Sequence, residues 1–123
     1  MVTRRLVAVV DDDESVRESL PDLLRSFGLD VRSFSSAEAF LESDGLGQIG
    51  CLVLDVAMPG MSGLELQQVL ARRRCGIPIV FITAQSVETV RPRVIDRGAV
   101  ACLFKPFSET DILAAVNAAL GPA

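Results

Sequence analysis

The sequence predicts an α/β fold in which five strand–helix units, (βα)5, build a doubly wound parallel sheet. Three observations predict it. Apolar runs recur at Leu6–Val10, 51–54, 77–82 and Ala101–Phe104, with a weaker one at Asp30–Phe34. Most are continuous rather than alternating, as in strands buried on both faces. Between them apolar residues return at helical spacing, and serines and glycines fall where those helices should start and stop.

The elements follow in order. After the first run, Val16, Leu20, Leu23, Leu24 and Phe27 form a helical stripe that Pro21 should kink. Ser15-x-x-Glu18 reads as its capping box: the serine oxygen takes a free amide proton and the acid reaches back. Gly28 is its predicted stop. The second strand, Asp30–Phe34, leads to a helix opened by Ser35-x-x-Glu38 and closed at Gly45. The third, 51–54, leads to a helix carrying Leu66, Val69 and Leu70, opened by Ser62-x-x-Glu65 and closed at Gly76. The fourth run, 77–82, is followed by the one helix without a capping box; it contains Pro92, so it begins late or bends, and it stops at Gly98. After Ala101–Phe104, Ser108-x-x-Asp111 opens a last helix with Ile112, Leu113, Val116 and Leu120, ending at Gly121.

Composition bounds what such a chain can do. Its 123 residues suit a single domain spanning residues 1–123, and half of them are apolar. A net charge of −4 argues against a nucleic-acid surface, which wants a basic stripe. No apolar run approaches the ~18 residues of a membrane span. Residues 1–5 are too short and polar for a signal peptide, so a cytoplasmic location is expected. Cys51, Cys75 and Cys102 lack metal-type spacing and read as reduced thiols. The chain has no histidine, so any histidine chemistry must come from another molecule. Gly121-Pro122-Ala123 fits either a free-standing chain or a unit followed by an output domain.

Sheets of this kind bind ligands outside the C-terminal strand ends, where the strand order reverses. For five strands the common order is 2-1-3-4-5, which puts that crevice between the first and third strands. The residues that follow the runs are Asp11 and Asp12, then Asp55, Thr83 and Lys105. Any one alone is an ordinary turn or cap residue, and Asp13 and Glu14 read as first-turn acids facing a helix dipole. Caps have no reason to choose one edge of one sheet, so the five together read as a site. Hard carboxylate oxygens without His or Cys favour Mg2+.

The motifs that carry these residues are "VAVVDDDES", "LVLDVAMPGMSGLEL", "PIVFITAQ" and "AVACLFKPF". In this order they resemble the receiver domain of two-component response regulators, over essentially the whole chain. "FSSAEAFLES" further resembles receivers followed by a helix-turn-helix output domain. The resemblance implies a flavodoxin-like (βα)5 fold and a Mg2+-dependent reaction in which Asp55 accepts a phosphoryl group from a histidine kinase or a small acyl-phosphate donor. It implies that Asp12 binds the metal directly, Asp11 through water, Asp55 itself, and Ala57 by its backbone carbonyl. Thr83 would hydrogen-bond the phosphoryl group and Lys105 would pair with it. Lys105–Pro106 should be cis. Phosphorylation would switch the surface of helix 4, strand 5 and helix 5, also a common homodimer face, and so control transcription; no membrane or nucleic acid is bound by this domain itself, and it catalyses only its own phosphorylation and dephosphorylation.

The chain departs from that family at two places. Three residues before Lys105, where an aromatic side chain usually swings, stands Cys102, which reads as a small core residue. The weakly held fourth helix, with Arg91, Arg93 and Arg97, becomes the candidate two-state element: phosphorylation is expected to reorder 86–97 without an aromatic switch. Gln85 and Ala57 flank the path of an attacking water and should tune phosphoryl lifetime. Two other readings stand beside the receiver: a haloacid dehalogenase-type phosphatase, which shares Asp, Mg2+, Thr and Lys but needs a longer chain, and an interaction module that never takes phosphate. FMN binding is disfavoured because acids follow the first strand where a phosphate loop would lie.

Overall fold

A computed structural model describes residues 6–84 and 90–121. Five strands, β1 (Leu6–Val10), β2 (Asp30–Phe34), β3 (Ile49–Asp55), β4 (Ile79–Thr83) and β5 (Ala101–Phe104), alternate with helices α1 (Glu14–Ser26), α2 (Ala37–Glu42), α3 (Gly63–Arg72), α4 (Val90–Asp96) and α5 (Glu109–Leu120). All pairings are parallel and the order is β2-β1-β3-β4-β5, as expected. Continuous apolar runs give two cores because successive side chains point to opposite faces. Val7, Val9, Cys51, Val53, Val80 and Ile82 pack under α1 and α5. Ala8, Val10, Leu52, Leu54, Ile79 and Phe81 pack under α2, α3 and α4, around the fully buried Phe40.

Two strand ends and two caps differ from expectation. β3 and β4 run through Asp55 and Thr83, so both residues belong to the ladder rather than following it. Asp13, not Ser15, caps α1: its carboxylate accepts from the Ser15 amide at 2.9 Å and from the Ser15 hydroxyl at 2.7 Å, which makes Ser15 the donor. Ser36, not Ser35, caps α2 by accepting from the Ala39 amide at 3.0 Å. The serine caps at Ser62 and Ser108 hold their predicted places; Ser62 and Glu65 satisfy each other's backbone amides, which completes the box there, and Ser108 accepts from the Asp111 amide.

The stop after α3 also moves. Arg74, at φ 55°, makes the left-handed turn, with its own amide donating to Ala71 and the Cys75 amide to Leu70, so Gly76 already belongs to the approach to β4. Gly28 and Gly98 make the left-handed exits of α1 and α4, where a side chain would be strained. Pro21 lies inside α1. Pro92 falls in the first turn of α4, where no amide proton is required of it. Residues 85–89, which include Gln85 and part of the expected switch segment 86–97, lie outside the described residues, as do the side chains of Arg91 and Arg93. Cys102 is 2 % exposed and packs with Val94 and Ala99 in the core beneath α4, as a small apolar residue would. Among the described residues the three cysteines form no disulfide, and burial pushes the Cys51 thiol up to about 12.

Candidate functional site

The strand order brings the ends of β1 and β3 side by side: Val10 pairs with Leu54 in β3. Asp11 follows Val10, and Asp55 follows Leu54. Their chain neighbours hold them there. The Asp11 amide donates to the Phe34 carbonyl at 3.2 Å, and the Val56 amide to the Ile82 carbonyl at 3.0 Å. Beyond Asp55 the loop turns back so that the Gly63 amide donates to Val56 at 2.9 Å. A Cβ on Gly63 would overlap the Asp55 carbonyl oxygen, so only glycine lets α3 begin against the acid's own backbone. On the other side, the Lys105 amide donates to the Thr83 carbonyl at 2.7 Å, which carries β4 and the lysine to the same edge. The Lys105–Pro106 peptide is cis.

Asp11, Asp12 and Asp55 thus offer carboxylate oxygens that all lie within 4.8 Å of one another. Asp11 is fully buried, Asp55 is 5 % exposed, and Asp12 stands exposed at the mouth. Lys105 reaches in from the half-buried edge: its Nζ is 2.8 Å from Asp11 Oδ2 and 3.9 Å from Asp55 Oδ1. The closer contact is an ion pair without hydrogen-bond geometry, and Asp11 Oδ2 is buried with no further hydrogen-bond donor among the described residues. Asp11 Oδ1 accepts from the Asp13 amide at 2.9 Å. Thr83 is fully buried at the end of β4, and Ala57 is exposed on the loop after β3. The fold therefore gathers Asp11, Asp12, Asp55 and Lys105 into contact range and sets Thr83 and Ala57 at the same edge.

Electrostatics follow from this crowding. Burial, and then the charge of Asp11, push Asp55 up to about 7; Lys105 pulls the other way, and close contact with Asp12 and Asp11 adds to the rise. At the helix start, the hydroxyl and amide of Ser15 hold Asp13 below the usual carboxylate range. Three acids against one lysine are a poor charge balance in a partly buried crevice. An oxygen-only donor set with an under-bonded buried carboxylate oxygen fits a hard divalent cation such as Mg2+.

Two contributors were not legible in the sequence. Arg17 lies six residues beyond Asp11, and its guanidinium donates to the Asp11 carbonyl at 3.0 Å. Glu38, which the sequence offers only as a capping acid, accepts from the Met61 amide at 3.3 Å and ties α2 to the loop that follows Asp55. Both side chains seek backbone atoms, and no residue type signals those.

With the site in view, its class is plain: the chain belongs to the response regulator receiver domain family, whose pattern matches residues 7–117. These are signalling receivers rather than conventional enzymes, and the phosphatase reading falls away. The chain is 48 % identical over 114 residues to the transcriptional regulatory protein TdiR of Thauera aromatica, covering 93 % of this chain and 50 % of that one. It is 44 % identical over 115 residues to the transcriptional regulatory protein FixJ of Azorhizobium caulinodans, covering 94 % and 54 %. Among solved structures, the response regulator StyR superposes with a TM-score of 0.88 at 51 % identity, over 94 % of this chain and 58 % of that chain. The chain spans about half the length of the curated relatives it matches.

Proposed function

We propose that this chain accepts a phosphoryl group on Asp55 and serves, as a single receiver domain over residues 1–123, as the input of a transcriptional regulator. The observation that carries the reading is the convergence of Asp11, Asp12 and Asp55 with Lys105 at one strand-end crevice. An Asp55 carboxylate oxygen attacks phosphorus, a new O–P bond forms, and the bond from phosphorus to the donor nitrogen or oxygen breaks, leaving an acyl phosphate. Membership of the receiver family supports a histidine kinase as the donor, with a small acyl phosphate as the other source.

Asp12 and Asp55 directly, Asp11 through water, and the Ala57 carbonyl would hold Mg2+, which when bound neutralises charge on the phosphoryl oxygens. Lys105 moves from Asp11 and Asp55 toward the incoming phosphoryl oxygens as a point charge, and Thr83 hydrogen-bonds them. Arg17 and Glu38 keep the Asp11 backbone and the 58–61 loop from drifting while charge builds.

Partners follow from the same reading. The relatives named as transcriptional regulators are about twice as long as this chain, which supports control of transcription through a further segment. The α4–β5–α5 surface would carry that output and a phosphorylation-dependent homodimer. We place its work in the cytoplasm on the reading of its cysteines as reduced thiols; among the described residues no helix is long and apolar enough to cross a membrane.

The test is direct. Incubation with Mg2+ and an acyl-phosphate donor should give one phosphoryl adduct by intact-mass spectrometry, and Asp55→Asn should give none. An adduct of equal yield on the Asn variant, or no adduct on the unmodified chain, would refute the assignment.

A further inference from the structure

The switching question turns on how a change at Asp55 reaches α4 when Cys102 occupies the core there. The inference that answers it rests on Asp55 being the acceptor. α3 touches both ends of the path. Its first residue, Gly63, sits on the Asp55 carbonyl with no room for a Cβ and donates to Val56, so the start of α3 cannot move independently of the acceptor's backbone. One turn later on the same face comes Gln67, 5 % exposed. Its Nε2 donates to the carbonyls of Val94 and Arg97, both at 3.4 Å, at the C-terminal end of α4.

Three features mark this contact as adjustable. A side-chain amide that reaches the carbonyls of a helix end is an anchor, here added to the bond that the Val94 carbonyl already accepts from the Ala99 amide at 3.0 Å. The anchor is loose, because both bonds are long. The Gln67 Oε1 is also buried with no hydrogen-bond partner among the described residues, a state that folded proteins seldom tolerate without a reason. Beside it lies an open depression of about 470 Å³, lined by Gln67, Leu70, Cys75, Pro78, Arg97 and Val100. The end of α4 borders that space through Arg97, while Val94 and Ala99 hold it to the core on the other side.

We propose that Gln67 is the positioning residue through which the state of Asp55 reaches α4. A pull on the loop after Asp55 moves α3 as a unit, and the Gln67 amide exchanges its hold on the Val94 and Arg97 carbonyls. α4 is then re-seated by a helix-to-helix clasp rather than by a swinging aromatic ring.

Beryllofluoride with Mg2+, on the full chain, supplies a stable phosphoryl mimic. Its binding is read by fluorine NMR, and the response of residues 94–100 by amide exchange. In the unmodified chain the mimic should change exchange in 94–100 by about fivefold, the scale of one hydrogen bond gained or lost, and should shift the Gln67 side-chain amide resonances. Gln67→Met keeps the volume but removes the donors. It should still bind the mimic within about twofold, the scatter that a distant side chain leaves, while 94–100 no longer responds. If the variant binds the mimic and its 94–100 segment responds as fully as the unmodified chain's, the proposal is wrong. Should Gln67→Met not fold, the unmodified chain decides: Gln67 amide resonances unmoved by bound mimic overturn the proposal, and shifted ones support it. Absence of any bound mimic would instead refute the assignment of Asp55, and this inference with it.

Discussion

Asp55→Asn tests the electrostatics of the crevice without any phosphoryl chemistry. Asparagine keeps the shape of the side chain and cannot ionise. In the folded protein Asp55 is pushed up from 3.8 to about 7, first by burial and then by Asp11. The folded state therefore holds this proton more tightly than the unfolded chain. The stability that comes with it is complete below about pH 3.8 and is lost as the pH rises through about 7. A displacement of that size sets a ceiling of about 4 kcal/mol on the loss. Solvent reaches the cluster past the exposed Asp12, so about half, roughly 2 kcal/mol, is the working expectation. For a chain of this length that corresponds to roughly 6–10 °C in melting temperature.

The assay is thermal unfolding by far-ultraviolet circular dichroism in a chelator, from pH 5 to pH 8. The two proteins should melt closest together near pH 5, and the Asn variant should lead increasingly toward pH 8. Mg2+ at pH 8 should raise the unmodified chain by RT ln(1 + [Mg2+]/Kd), about 2.7 kcal/mol at a hundredfold excess over Kd, and the variant by less. Parallel pH profiles in chelator, or a variant that melts lower at pH 8, would show that the acids are not crowded as described.

Two further outcomes follow from the geometry. Gly63→Ala should cost about 2–4 kcal/mol in urea unfolding, because the new methyl meets the Asp55 carbonyl and α3 must retreat; a loss under about 0.5 kcal/mol, the range of a surface substitution, would mean that α3 is not seated there. Ser36→Ala should cost about 1 kcal/mol through the lost α2 cap, while Ser35→Ala should stay within about 0.5 kcal/mol; the reverse order would return the cap to Ser35.

The fold was legible because its signals are local and repeated. Continuous apolar runs announce buried parallel strands, and Ser62 and Gly98 announce helix ends wherever one residue decides the turn. The site was legible because topology adds a long-range rule: once the order is β2-β1-β3-β4-β5, Asp11, Asp12, Asp55 and Lys105 must meet. Where two capping residues stand together, pattern alone could not choose. Ser35 and Ser36 offer the same hydroxyl, and the end of β2 at Phe34 decides which one has left the strand and faces the helix. In the acidic run, Asp13 caps because its neighbour Asp11 has already turned toward the crevice. Arg17, Glu38 and Gln67 stayed hidden for one shared reason. Each bonds a distant backbone atom, and backbone atoms carry no residue identity for a pattern to match.

Those hidden contacts bear on how the receiver can switch. Without a cation the crevice holds three acids against one lysine, which disfavours the fold at Asp55. Any ligand that neutralises them stabilises the geometry in which they meet, and can shift a second conformation only through contacts that differ between the two. In the core beneath α4, Cys102 is small and closely packed, so little volume can change hands there. The contacts free to differ are polar and long: the Gln67 bonds to Val94 and Arg97, and the Glu38 bond to Met61. A site that works by relieving charge is coupled here to helices held by weak backbone clasps, and weak clasps are what a gain of a few kcal/mol can exchange.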